Sequence, residues 1–175
     1  VGRDLRRQED LPADLAFRRP TQDFLEEPSG RALAGPSAAV HLLLPPDRAE
    51  AFIGLARRAA SERRIDLQRV TVQRLQPGAE SVLSTAQRAW AGVRVDFASR
   101  RTLGGSLRAT QFRALLRSTA LSLGGSFPAH AAPDASRAEI EACHPALPAF
   151  LAEKHRLDPA DRLQNAWYRG VRAAL

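Results

Sequence analysis

The run Ala39-Val40-His41-Leu42-Leu43-Leu44, closed by Pro45-Pro46, constrains the fold more than any other stretch of the chain. A short, nearly continuous apolar segment bounded by turn residues reads as a buried strand. The period then changes at once. Phe52, Leu55, Ala56 and Ala59 recur at helical spacing, and Asp47 stands three residues before Glu50, the spacing of a capping box. The pattern predicts a helix over about residues 47–63.

Further along, Leu67, Val70, Val72 and Leu75 are separated by Gln and Arg, which predicts a half-exposed strand ended by Pro77-Gly78. Residues 79–90 show no clear period. Ala91–Phe97 alternates, with Val93, Val95 and Phe97 on one face and Arg94 and Asp96 on the other. A loop through Thr102-Leu103-Gly104-Gly105 is expected to lead into a second helix. Phe112, Leu115, Leu116, Thr119 and Leu123 form its buried stripe, and Gly124-Gly125 supplies a left-handed stop. Ser126-Phe127 then starts a further short strand. Ser136 and Glu139 repeat the capping-box spacing, and another helix is expected from Pro145 or Pro148 to Arg156, with Leu147, Phe150 and Leu151 inward.

The resulting order is strand, helix, strand, strand, helix, strand, then helices. It predicts an α+β fold: an antiparallel sheet covered on one side by helices, in a ferredoxin-like split β-α-β arrangement with a C-terminal helical tail. Upstream, Pro12, Pro20, Pro28 and Pro36 forbid any long helix. Residues 1–37 are therefore read as a proline-rich lead-in strap, and residues 38–175 as the domain.

Composition limits what such a domain can do. With 44% apolar and 26% charged residues, the chain is balanced like a globular protein. The longest apolar stretch near the middle falls far short of the ~20 residues needed to cross a membrane. The formal charge is +7, yet its 26 basic residues are 25 arginines and a single lysine, Lys154. They are scattered among acids instead of gathered on one face, which argues against a nucleic-acid surface. Cys143 is the only cysteine, so no internal disulfide forms. No basic–apolar leader opens the chain, and the expected setting is cytoplasmic. Cys143-His144 lacks chelating spacing, and His41, His130 and His155 form no ligand set, so no metal site is expected.

The most specific stretch lies near the C-terminus. Lys154, Arg156, Asp158-Pro159, Arg162, Asn165 and Trp167-Tyr168 occur in that order, after Leu121-Ser122-Leu123-Gly124-Gly125-Ser126-Phe127 and Cys143-His144-Pro145. This ordered set resembles the closing segment of bacterial FAD-linked oxidoreductases of the vanillyl-alcohol oxidase type. There a helix ends in a Lys/Arg–x–x–Asp-Pro turn, followed by an arginine, an asparagine or aspartate, and an aromatic pair. The resemblance covers about residues 38–169 and is strongest from 115 onward.

That likeness implies a substrate or cap domain of an FAD-dependent enzyme. It places Phe127 and His130 on the cavity wall, with His130 as the catalytic candidate near neutral pH. Arg94 and Arg100 become candidate substrate contacts. Arg162, Asn165 and Trp167 become candidates for cofactor contact or docking to the FAD domain, on a tail expected to be extended or loosely helical. The sequence departs from the family pattern at Phe127-Pro128-Ala129-His130-Ala131-Ala132-Pro133, where further aromatic and histidine side chains are usual. Its only paired glycines, Gly104-Gly105 and Gly124-Gly125, make poor pyrophosphate cradles. The expectation is that FAD is bound mainly by a domain outside this chain, with that domain and a small-molecule substrate as partners. The isolated chain is then inactive. The alternative is a non-catalytic, cap-like partner or scaffold remnant that binds a homologous flavoprotein.

Overall fold

The computed structural model describes residues 37–77, 88–129 and 134–174. The lead-in strap up to residue 36, most of the aperiodic 79–90 stretch and His130 lie outside them.

The apolar run becomes β1 (Ser37–Leu44), and the two alternating stretches become β2 (Leu67–Leu75) and β3 (Trp90–Ala98). The sheet order is β1-β3-β2, both pairings antiparallel. β1 and β2 therefore run parallel to each other on either side of β3, joined by α1 (Ala49–Glu62). On the far side of β1, Ser126 forms an antiparallel bridge with Leu43, each amide donating to the other's carbonyl at 2.7–2.8 Å. The expected fourth strand is thus a single bridge in the fourth-strand position. The α+β, ferredoxin-like layout follows, with the helices on one face.

Register decides which side chains meet the helices. Val93, Val95 and Phe97 pair across to Leu42, Val40 and Ala38, and that face joins Phe52 of α1 and Phe112 of α2 (Leu103–Ser122) in the core. Phe97 and Phe112 meet edge to face at 5.0 Å, the arrangement their ring quadrupoles favour. Leu67 and Val70 reach this face despite their three-residue spacing because a bulge falls between Leu67 and Arg69. Leu75 lies on the opposite face. There it forms a smaller buried cluster with Leu43 and Trp90.

Two expected helix starts move. A 3-10 turn, Pro46–Arg48, precedes α1, so Asp47 sits inside that turn and caps nothing; Arg48 is the N-cap and makes no side-chain cap bond. Pro46, with its fixed φ, nucleates the earlier turn. Likewise Thr102 is the N-cap of α2, its hydroxyl accepting from the Gly105 amide at 3.1 Å, and the expected Leu103–Gly105 loop is the first helical turn. Gly105 is required there by packing: a Cβ would stand 2.2 Å from the Arg100 carbonyl oxygen. Gly124, with φ of 75°, provides the left-handed stop as expected.

Three further helices complete the described chain: α3 (Arg137–Cys143), α4 (Leu147–Leu157) and α5 (Ala166–Ala174). α3 carries the complete Ser136/Glu139 capping box. No helix among the described residues is long and apolar enough to cross a membrane.

The glycines give a direct check. At Gly125 a Cβ would lie 2.5 Å from the Leu43 carbonyl oxygen and 2.7 Å from that of Ala120, so Gly125→Ala is expected to cost about 2 kcal/mol through forced backbone movement. Gly54 is exposed in mid-helix with open space around it. Gly54→Ala is expected to stabilise by about 1 kcal/mol. Urea unfolding of the two variants reads both signs.

Candidate functional site

The helical tail is held by two clusters of charge, and these position the residues singled out by the sequence. The first centres on Arg117, a guanidinium in the buried stripe of α2 with only 5% of its side chain exposed. Its Nε donates to Glu139 at 3.0 Å, and its two terminal nitrogens donate to the Asp134 carboxylate at 3.1 Å and carbonyl at 3.0 Å. Phe127 lies beneath, its ring centroid 5.9 Å from the guanidinium carbon and 5.2 Å from the His144 ring. Burial tends to raise the Glu139 pKa, but the hydrogen bond from Arg117 and those from Ser136 overcome it and hold the carboxyl below its usual value.

The second cluster ties α4 to α5. Asp158 ends α4 and accepts from the amides of Arg162 and Leu163, both at 2.9 Å, and from Lys154 Nζ at 2.9 Å. Lys154 also bonds Asp161 and lies 4.2 Å from the centre of the Tyr168 ring. Asp161, at φ of 52°, takes the left-handed conformation that aspartate tolerates and is further held by Arg172 and Gln164. Desolvation disfavours the charge on Lys154, yet the bonds to Asp161 and Asp158 outweigh it and raise its pKa. Lys154, with the two backbone amides behind it, draws Asp158 down to about 2.

Asn165 accepts from the Tyr168 amide at 2.7 Å and so starts α5. The stretch beyond it is a regular helix and not an extended tail, because Trp167, Val171 and Ala174 repeat at helical spacing and pack on the core. Trp167 donates its indole N–H to the Ala129 carbonyl at 3.1 Å and packs against Phe150, centroids 6.4 Å apart.

The structure therefore brings Trp167 to Ala129, two residues past Phe127, while Asn165 stays exposed at the start of α5. Phe127 itself is fully buried in the main core. Arg162 is exposed on the turn between α4 and α5. Arg94 is elsewhere: it lies on the sheet face opposite that core, its Nε 3.0 Å from Asp96 Oδ1. Arg100 is exposed beyond the last residue of β3. The Ser126 bridge falls at the level of Gly92, at the start of that strand, so Arg100 and Phe127 stand roughly 20 Å apart along the sheet.

Residues outside that set line an open cleft among the described residues. A cleft of about 410 Å³ is lined by Arg88, Trp90, Gly125, Ser126, Ala142 and Cys143. Arg88 stacks 4.0 Å over the Trp90 ring and donates to the Gly124 carbonyl at 2.8 Å. Burial pushes the Cys143 thiol up, against the effect of its bond with Ser126. It stays protonated near neutral pH and is a poor nucleophile. Sequence reasoning missed Arg88 and Trp90 because they border an aperiodic stretch. It also missed Arg117, although that residue's place beside Leu116 and three residues before Ala120, on the buried side of α2, is the signal that finds it.

The Gly105 amide is taken by the Thr102 hydroxyl, and those of Gly124 and Gly125 by the carbonyls of Leu121 and Ala120. Gly124-Gly125 therefore does not fit a flavin pyrophosphate, and Gly104-Gly105 lacks the Gly105 amide for one. Comparison with known protein families and with curated proteins finds no match for this chain.

Two outcomes are expected here. Arg117→Ala leaves Asp134 and Glu139 without their partner and should lower stability by about 3 kcal/mol in urea unfolding. Asp158 has its pKa depressed from 3.8 to about 2, so its contribution is complete above the unfolded value and fades as pH falls through that window. Trp167 emission should report loosening of α5 between those pH values, and Asp158→Asn should remove that pH-dependent component.

Proposed function

We propose that this chain is the substrate or cap domain of an FAD-linked oxidoreductase, working with an FAD-binding domain carried on another segment or polypeptide. The carrying observation is the turn between α4 and α5. It is fixed internally by Lys154, Asp158 and Asp161, yet it turns Leu157 and Leu163 outward at 69% and 76% exposure, with Arg162 beside them. A turn held this firmly has no structural need to present apolar side chains to water, and a docking partner gives them one. The ordered Lys154–Tyr168 motif and the ferredoxin-like layout support the same reading.

In this reading the domain contributes shape, substrate orientation and exclusion of water, while the redox chemistry belongs to the cofactor. His130 remains the candidate acid–base group, and Arg94 and Arg100 remain candidates for holding an anionic substrate. A single solvent-shielded partner face at the turn also gives Arg162 a role, as a cation at the rim of the contact. The setting proposed is cytoplasmic.

Co-expression with any flavin-binding polypeptide encoded beside this chain tests the proposal. The expected result is a co-purifying complex with visible flavin absorption, while the chain alone remains colourless. The double variant Arg162→Glu, Leu163→Asp should weaken the complex at least about tenfold with its far-UV circular dichroism unchanged. Stoichiometric FAD on the isolated chain, or no complex with any such polypeptide, counts against it.

A further inference from the structure

We infer that the cleft between Arg88–Trp90 and Gly125–Cys143 is a binding site for a small planar carboxylic acid. The inference does not depend on the cap-domain reading, since it concerns only what this chain holds by itself.

The cleft is built by backbone constraints. Gly124 reverses the chain at positive φ, and Gly125, free of a Cβ, lets it press against the carbonyls of Leu43 and Ala120. Ser126 is then locked to Leu43 by two backbone bonds. These contacts fix one wall while the end of α3 supplies Ala142 and Cys143 for the other. Trp90, only 7% exposed, forms an apolar surface with Leu43 and Leu75 behind it.

Charge selects the ligand. Arg88 is the one ionised group among the described lining residues. Stacking on Trp90 orients its guanidinium, and the bond to Gly124 engages a single terminal nitrogen. The rest of the fork suits a carboxylate, which it can take in bidentate fashion. Two acids of α3 have their own partners: Glu139 is paired with Arg117, and Glu141 with Arg137 at 2.8 Å. The Ser126 hydroxyl and the protonated Cys143 thiol add neutral polar contacts, while the exposed Ala142 and the uncovered edge of Trp90 favour a slim apolar body. A volume of about 410 Å³ falls at the lower end of small-ligand pockets. The net charge of +7 adds long-range attraction for an anion.

Titration of the ¹⁵N-labelled chain with benzoate, and separately with neutral benzamide, decides the matter. Saturable amide shifts confined to Trp90, Gly125, Ser126 and Cys143, with the Trp90 indole N–H among them, are expected for benzoate. Arg88→Gln should weaken binding about tenfold, and Ala142→Trp, which fills the cleft from an exposed position, should abolish it. Both sites are at the surface, so unchanged shifts elsewhere verify the fold. Absence of saturable shifts, shifts centred on another region, equal affinity for benzamide, or binding indifferent to both substitutions would overturn the assignment.

Discussion

Arg117 is the residue on which the described C-terminal region depends. A ferredoxin-like sheet with two helices satisfies its own backbone, but α3, α4 and α5 have no strand to order them. Their anchorage begins where the α2 guanidinium takes the Asp134 carbonyl, the Asp134 carboxylate and Glu139 at once. Glu139 in turn closes the capping box that starts α3. One buried cation therefore converts the segment leaving Phe127 into a defined helix start. Removing either side leaves charge buried without its counterpart, which is why such a group behaves as an all-or-none fastening.

Lys154 plays the equivalent part farther along, and its chemistry explains why it stands alone among 25 arginines. The ammonium must reach Asp158, Asp161 and the face of the Tyr168 ring together. Those partners surround a point; they do not lie in the plane of a fork. A compact charge with rotatable donors meets that demand, whereas a guanidinium imposes planar geometry. The same knot frees Leu157, Arg162 and Leu163 to point outward, so internal anchoring and outward display are two consequences of one arrangement.

Much of the fold was legible because its signals are local. The apolar run with its double proline, the alternation in β3, the Ser136/Glu139 box and the Gly124 stop each depend on nearest neighbours, and each recurs in the structure. Two misplacements share a cause: at Asp47 and at Leu103–Gly105 a stronger neighbouring constraint took over, Pro46 in one case and the close approach to Arg100 in the other. Leu75 shows a different limit. Its odd spacing from Val72 puts it on the other face, and the pairing with Trp90 shows what it packs against there, the smaller cluster. The site was less legible still. Pairings such as Trp167 with Ala129, 38 residues apart, or Arg88 with Gly124, 36 apart, leave no periodic trace.

The two glycine pairs show how one sequence feature serves unrelated physical ends. At Gly104-Gly105 the missing side chain lets a helix begin directly on the backbone of the preceding loop. At Gly124-Gly125 the first glycine supplies a turn and the second lets the chain lie against β1, and the Gly124 carbonyl is thereby presented to Arg88. At the second pair both amides that a phosphate would need are already engaged within the fold, and at the first the Gly105 amide is. What the second pair offers outward is an acceptor that orients a cation. The consequence is a site whose polarity comes from a positioned guanidinium over an aromatic ring and not from backbone donors, and such a site discriminates by the charge and flatness of what enters it.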